Sequence, residues 1–180
     1  LINFHPKKGY AIARDMARAC QDIPYLFVEA WTLWDDLFDE IMAEIAALPN
    51  VTFHRRTSDM STVYGRTKIL LAPSQWEEAW GRVASEAHCS GIPVIGSDRG
   101  GLPEAIGPGG IVVAHDAPTE VWVAALRRLW EDADAYQEVS DAAATYARRP
   151  ELAFEAQHAT FMDVLADSVA AKGGDQRASA

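Results

Sequence analysis

Two consecutive turns within residues 73–107 each carry a strand into a helix. The order predicted there is the end of a strand, a loop with a glutamate, a helix opened by a glycine, a buried strand, and a helix opened by a glycine pair. When parallel strands are connected in this way, their loops meet beyond the carboxyl ends of the sheet, where α/β proteins bind ligands. This stretch therefore predicts a parallel α/β sheet with a candidate site at that edge.

Apolar strands alternate with helical patterns along the rest of the chain. We predict strands at residues 1–4, 24–29, 51–54, 68–72, 93–96 and 110–113. From residue 119 the pattern is helical to about residue 171. The sequence predicts an α/β, Rossmann-like, three-layer domain over residues 1–171, with a parallel sheet of about six strands and a helical C-terminal end. The small polar residues 172–180 are predicted to form a disordered tail.

Composition limits the classes of partner. The 180 residues are 49% hydrophobic and 23% charged, which suits one globular domain with a substantial core. The net charge of −10 argues against nucleic acid as the main partner, because binding to phosphates needs a basic surface. The chain begins at Leu1 directly in a predicted strand, so we interpret it as a fragment of a longer protein.

The sequence predicts neither secretion nor a membrane span. No apolar run approaches the roughly 18 residues that a spanning helix needs, and no stretch is typical of a secretory segment. Cys20 and Cys89 both fall in helical patterns without metal-ligand spacing, so we expect buried free thiols in a reducing compartment. The expected location is the cytoplasm.

Glu78 and Glu86 are separated by seven residues, with Gly81 and Arg82 between them. If a helix begins near Gly81, its free amides suit a diphosphate, and Glu86 lies roughly 8 Å farther along the helix axis. A nucleotide sugar has this layout of ribose diol, diphosphate and hexose, and a carboxylate accepts two hydrogen bonds from a vicinal diol. Two glutamates near a helix start are most often solvated, so the pair by itself leaves both interpretations open.

A second turn adds to this pattern. Gly100 and Gly101 follow a predicted strand, and glycines there allow backbone to approach a ligand closely. With these residues the stretch resembles the donor-binding half of retaining glycosyltransferases of the GT-B fold, the group-1 family that includes sucrose synthases and mannosyltransferases. The resemblance rests on the glutamate spacing, on Pro73-Ser74, on Gly91-Ile92-Pro93-Val94 and on Gly100-Gly101-Leu102-Pro103-Glu104.

The resemblance implies a role for each matched residue. Glu86 would hold the ribose diol, and Glu78 would hold the hydroxyls of the transferred sugar or the oxocarbenium side of the transition state. Lys8, together with Arg82 and nearby backbone amides, would bind the diphosphate. Glu78 and Lys8 are thus the predicted catalytic residues.

Further donor-binding residues are predicted around these. Gly81 and Val83 lie at the start of the helix, and Gly100, Gly101 and Leu102 would offer backbone near the sugar and the phosphates. No metal is expected, because cations and helix dipoles would neutralise the leaving group. No cofactor is expected either, since the nucleoside-diphosphate sugar is a substrate.

One basic residue of the family pattern is missing. Family members usually have an Arg five positions before the lysine that corresponds to Lys8, and the two cations together substitute for a metal. Asn3 stands at that position here. Lys7, Arg82 or Arg99 could supply the missing charge, and spacing does not choose among them.

Two positions concern the base and the wall of the pocket. Arg55 follows the third predicted strand, where family members often line the base pocket, so we predict that it contacts base or ribose. Trp80 stands where the family usually has Phe, which preserves an aromatic wall.

The resemblance implies the donor-binding half of a retaining glycosyltransferase, which moves a sugar from a nucleoside-diphosphate sugar to an acceptor. The acceptor, and any peripheral association with a membrane, would belong to an N-terminal half that this chain lacks. Two alternatives stay open, namely a nucleotide-sugar epimerase or hydrolase of the same fold and a non-catalytic nucleotide-sugar-binding module. A nicotinamide-dependent reductase is not favoured, because the loop after the first strand has the single Gly9 in place of a glycine-x-glycine-x-x-glycine fingerprint.

Overall fold

The computed structural model describes residues 1–177, with side chains described through residue 168. Its strands are β1 (Tyr25–Val28), β2 (Val51–His54), β3 (Leu70–Ala72), β4 (Val94–Ser97) and β5 (Gly110–Val113). Its helices are α1 (Tyr10–Ala19), α2 (Asp35–Ala46), α3 (Ser61–Tyr64), α4 (Arg82–His88), α5 (Leu102–Ile106), α6 (Thr119–Glu131), α7 (Ala133–Tyr146) and α8 (Phe154–Arg177). The predicted alternation of strands and helices in an α/β fold is confirmed.

The strands pair in parallel in both sheets. β1 pairs with β2, with Tyr25 opposite Val51 and Val28 opposite His54. In the second sheet β4 lies between β3 and β5, and Val94 is opposite Leu70 on one side. Because parallel strands need a crossover connection, each strand is followed by a loop at its carboxyl end and then by a helix.

The predicted first strand, residues 1–4, is not a full strand, so the described chain has five strands where about six were predicted. Ile2 makes an isolated parallel bridge to Val28, and the amide of Asn3 donates to the carbonyl oxygen of Val28 at 2.9 Å. Asn3 then adopts φ 66°, in the left-handed region, which ends the extended pairing. A 3₁₀ turn follows at Pro6–Lys8.

Strands β3 and β4 of the second sheet are buried on both faces, as a three-layer fold requires. Leu71 and Ile95 belong to one apolar cluster, which includes side chains from α1 and α6. Leu70 and Val94 precede them in the strands and belong to a second cluster with α4 and α5. Since successive side chains in a strand point to opposite faces, helices cover both sides of this sheet.

The contacts divide the chain after Tyr146 into two compact units. In the second unit a 3₁₀ turn at Pro150–Leu152 precedes α8, and Gln157 Nε2 donates to the carbonyl oxygen of Glu151 at 2.6 Å. The predicted tail, residues 172–180, overlaps α8 as far as Arg177, and residues 178–180 lie outside the described residues. The tail, and the domain boundary at residue 171, stay predictions.

The two cysteines differ in burial. Cys20 is buried, as predicted, but Cys89 is exposed, because it lies at the end of α4 where the chain turns towards β4. Within residues 1–177, we find no helix whose length and apolar character suit a membrane span.

The contribution of the apolar cluster that includes side chains of α1 and α6 to stability can be tested by replacing Trp122, which belongs to it. Trp122 is fully buried, whereas the side chain of Trp34 is 84% exposed. We expect Trp122→Ala to lower the free energy of unfolding by about 3–5 kcal/mol, because it removes a large buried ring and leaves a cavity. The matched control Trp34→Ala should change it by less than about 0.5 kcal/mol. Urea unfolding followed by circular dichroism measures both, and similar losses in the two variants would contradict this account of the core.

Candidate functional site

A cavity of ≈ 530 Å³ opens where the loops after β1 and β3 meet the start of α4. Its wall includes the segment around Asn3, the 3₁₀ turn at Pro6–Lys8 and the loop between β3 and α4. Of the residues predicted to bind donor or to act in catalysis, those that line it are Lys8, Glu78, Gly81, Arg82, Val83, Glu86 and Leu102. The structure thus brings residues from distant parts of the chain into one cavity.

Lys8 and Glu78 form an ion pair inside this cavity. Lys8 Nζ lies 2.6 Å from Glu78 Oε1, and each side chain is only 17% exposed. The hydroxyl of Ser74 donates to the same oxygen at 2.8 Å. Lys8 Nζ also lies 4.6 Å from the ring centroid of Trp31, within range of a cation–π contact. The ammonium is therefore fixed between a carboxylate and an aromatic face.

The turn before α1 positions Lys8. His5 Nδ1 accepts a hydrogen bond from the amide of Lys7 at 3.1 Å, and the amide of Lys8 donates to the carbonyl oxygen of His5 at 2.8 Å. Partial burial, followed by the charges of Lys7 and Lys8, lowers the pKa of His5 below its usual value. The imidazole is therefore neutral at pH 7, so its Nδ1 can accept the hydrogen bond that holds the turn.

The loop that carries Glu78 rests on Gly100 and Gly101. The amide of Gly101 donates to the carbonyl oxygen of Glu78 at 2.7 Å. Gly100 has φ 56°, and a Cβ added there would collide with the backbone of Glu78. The glycine pair is not among the residues that line the cavity. In this structure it supports the Glu78 loop from behind, and its predicted approach to the sugar and phosphates stays a prediction.

Glu86 lies one turn into α4 and contacts two side chains. The hydroxyl of Tyr64 donates to Glu86 Oε2 at 2.8 Å, and Arg82 Nη2 lies 3.4 Å from Glu86 Oε1. Gly81 precedes the helix with φ 85°. Arg82 and Val83, whose amides are the first two of α4, line the same cavity as Glu86, whereas the amide of Ala84 donates to the carbonyl oxygen of Gly81 at 2.9 Å.

Of the three basic residues that could supply the cation missing at Asn3, Arg82 lines the cavity. Asn3 lines the cavity without a positive charge. Arg82 also lines the cavity, whereas Lys7 lies over the ring of Trp76 and Arg99 pairs with Glu77. Lys7 and Arg99 are not among the lining residues, and the part of Arg82 as the substitute cation stays a prediction.

Arg55 and Trp80 occupy different surroundings. Trp80 lines the cavity, as the aromatic wall predicted there, and its Nε1 donates to Ser85 Oγ at 3.0 Å. Arg55 is not among the lining residues; its guanidinium lies 5.4 Å from the ring centroid of Phe38 and 73% of its side chain is exposed. Its contact with base or ribose stays a prediction.

Sequence reasoning missed three residues of this region. Trp31 and Met60 line the cavity, and Tyr64 contacts Glu86. Trp31 follows β1 directly, so the rule that ligands bind beyond the carboxyl ends of strands would have found it. No comparable signal marks Met60 or Tyr64, because neither follows a strand directly; Met60 precedes α3 and Tyr64 ends it.

Parallel strands, helices on both faces and a cavity at the carboxyl ends of the strands define a Rossmann-like domain. A family model described as glycosyl transferases group 1 matches residues 34–146. The chain belongs to this family, as its resemblance at the glutamate and glycine turns predicted.

Relatives with known names agree with this membership. The chain is 33% identical over 136 residues to a D-inositol 3-phosphate glycosyltransferase of Corynebacterium kroppenstedtii, a match that covers 73% of the chain and 29% of the relative. The chain therefore spans less than a third of the length of that curated relative.

Solved structures share the fold. The Anabaena protein HepE, determined in complex with UDP-glucose, matches with a TM-score of 0.74 and 22% identity over 94% of this chain and 47% of its own. The C-terminal domain of a group 1 glycosyl transferase family protein, LpcC of Francisella tularensis, matches with a TM-score of 0.69 and 19% identity over 81% of this chain and 80% of its own. At this identity the likeness shows the GT-B, Rossmann-like fold.

The two ion pairs of the cavity differ in burial, which double-mutant cycles can test. For Lys8→Met with Glu78→Gln we expect a coupling free energy of about 1–2 kcal/mol, because the pair is shielded from water. For Arg82→Met with Glu86→Gln, whose side chains are 87% and 39% exposed, we expect less than about 0.5 kcal/mol. Free energies of unfolding of the single and double variants measure both values. Equal coupling in the two cycles would show that burial does not strengthen the Lys8–Glu78 pair.

Proposed function

We propose that this chain binds a nucleoside-diphosphate sugar and forms the donor-binding half of a retaining glycosyltransferase. The observation that carries the proposal is the single cavity in which the Lys8–Glu78 pair and Glu86 lie on either side of the start of α4. Its volume of ≈ 530 Å³ falls in the range typical of small-molecule sites, which is about 300–1,000 Å³.

The cations and amides suit the diphosphate. Lys8 and Arg82 line the cavity, and the amides of Arg82 and Val83, the first two of α4, have no acceptor within the helix. An ammonium carries three donors, so Lys8 can keep its bond to Glu78 while it donates to a phosphate oxygen. Arg82 is largely exposed before the ligand enters, so it can turn towards the phosphates without leaving a buried partner.

The carboxylates suit the two sugars. Glu86 would accept hydrogen bonds from the ribose diol, and Glu78 would face the transferred sugar. Ser74 and Lys8 both contact Glu78 Oε1, so the carboxylate is held in one orientation. A fixed negative charge there stabilises the positive charge that develops on the sugar ring as the bond to the diphosphate breaks.

Departure of the diphosphate would be assisted by Lys8. Negative charge builds on the leaving oxygen in the transition state, and a nearby ammonium stabilises it without any reorganisation of solvent. Attack by the acceptor on the same face of the sugar would give retention, with the leaving phosphate helping to deprotonate the acceptor hydroxyl. The cations of the cavity would make a metal unnecessary for this step.

The relatives support a donor of this class. The curated relative of Corynebacterium kroppenstedtii is named a glycosyltransferase, and Anabaena HepE was determined with UDP-glucose. We therefore propose UDP-glucose as the first donor to test with this chain. The acceptor would bind to a further domain, since the chain covers 29% of the relative's length.

Calorimetric titration with UDP, GDP and ADP tests binding. We expect micromolar affinity for at least one of them, and a loss of about tenfold or more in Glu86→Ala, because a charge-assisted contact contributes roughly 1.5–3 kcal/mol. Glu77→Ala is the matched control, because Glu77 lies in the same loop but pairs with Arg99 and does not line the cavity. Failure of every nucleotide to bind, or equal losses in the two variants, would argue against the proposal.

An assay of sugar transfer tests whether donor binding and acceptor binding belong to different halves of the protein. The 180-residue chain should bind donor yet transfer little or no sugar, because it covers 29% of the curated relative's length and we propose that the acceptor binds to a further domain. A longer protein that contains both halves should transfer sugar in the same assay. Liquid chromatography of labelled UDP-glucose, with and without acceptor, measures transfer and also detects hydrolysis or epimerisation. Robust transfer by the 180-residue chain alone would contradict the proposal, and donor conversion without acceptor would favour a hydrolase or epimerase.

A further inference from the structure

Glu86 is held from outside its own helix by Tyr64. The hydroxyl of Tyr64 donates to Glu86 Oε2 at 2.8 Å, although Tyr64 belongs to α3 and precedes Glu86 by 22 residues. The ring of Tyr64 packs against the apolar cluster that contains α4 and α5. Tyr64 itself is not among the residues that line the cavity, so it reaches a ligand only through Glu86.

The acceptor capacity of Glu86 matches this arrangement. An ionised carboxylate offers about four lone-pair sites on its two oxygens. Tyr64 occupies one site on Oε2, and Arg82 approaches Oε1. About two sites remain, which is the number that the two hydroxyls of a vicinal diol require.

Of the two contacts to Glu86, the one from Tyr64 is the better anchored. Arg82 is 87% exposed and its nitrogen lies 3.4 Å from the carboxylate, so this i,i+4 pair contributes little to the orientation of Glu86. The hydroxyl of Tyr64 lies at a normal hydrogen-bond distance on a ring that is packed in the apolar cluster. Tyr64 therefore fixes the carboxylate, while Arg82 remains free to turn.

We propose that Tyr64 is a positioning residue that orients the Glu86 carboxylate to accept both hydroxyls of the donor's ribose. This inference rests on the proposed function, in which Glu86 binds the ribose diol. Tyr64 lies in the connection between β2 and β3, so this connection would contribute to donor selectivity. It would favour a ribonucleotide over a deoxyribonucleotide.

The chemistry of Tyr64 suits this role. Burial, followed by the hydrogen bond to Glu86, raises the pKa of Tyr64 above its usual value. The hydroxyl therefore stays protonated at neutral pH and remains a donor to Glu86 Oε2.

The test compares a ribonucleoside diphosphate with its 2′-deoxy analogue. Both are titrated into the chain by calorimetry, with UDP and 2′-deoxy-UDP as the probes or the corresponding pair for whichever base binds best. Tyr64→Phe removes the hydroxyl but keeps the packed ring, and Tyr136→Phe is the matched control because the Tyr136 hydroxyl donates instead to the carbonyl oxygen of Lys68. Thermal melting of each variant reports its folding.

The expected result is a loss that depends on the ribose. Tyr64→Phe should weaken binding of the ribonucleotide about threefold to tenfold, which corresponds to the net contribution of one hydrogen bond, and should weaken binding of the 2′-deoxy analogue less than about twofold. Tyr136→Phe should change neither affinity. Glu86→Gln should reduce the discrimination between the two ligands in the same way as Tyr64→Phe.

Three results would overturn the inference. Equal losses for both nucleotides in Tyr64→Phe would mean that Tyr64 only supports the fold, and no loss would mean that Glu86 is oriented without it. In both cases the wild-type chain still binds nucleotide, so the proposed function stands. If the wild-type chain binds neither nucleotide, the proposed function fails, and this inference fails with it.

Discussion

The site depends on how closely the loops at the carboxyl ends of the strands approach one another. A side chain at Gly9 would collide with the carbonyl oxygen of Pro73, and one at Gly100 would collide with the backbone of Glu78. In both places the neighbour is backbone, which cannot move aside as a flexible side chain would. These contacts bring the Lys8 turn against the Glu78 loop, and the 2.6 Å ion pair between the two residues follows from that approach.

The opposite charges of Lys8 and Glu78 are brought together in the cavity by the same loop contacts. The charges of Lys8 and Glu78 compensate each other, so partial burial of both is tolerated. Ser74 supplies a further donor to Glu78, and its own position is held by Ser97, whose hydroxyl donates to the carbonyl oxygen of Ser74 at 2.6 Å. Ser97, a buried residue at the end of β4, therefore supports the Glu78 carboxylate indirectly, through Ser74.

The order of the strands, turns and helices that carry the site could be predicted, because strand patterns and glycine turns are local sequence signals. The helix after Gly81 and the two glutamates on either side of its start were predicted in this way. The number of strands was not, because a left-handed Asn3 ends the first apolar run and no periodicity reports a single backbone angle. The contact between Tyr64 and Glu86 joins residues 22 positions apart in sequence, and it depends on the packing of Tyr64 against the apolar cluster that contains α4 and α5.

The cavity wall has one part fixed by backbone contacts and another held by side chains alone. Trp31 is 47% exposed and is kept in place by ring contacts with His5 and Lys8. Exchange of a ring held in this way leaves the strands and turns as they are. A substitution at Trp31 can therefore alter the cavity wall alone, whereas a side chain at Gly9 or Gly100 would disrupt the backbone contacts that build the site.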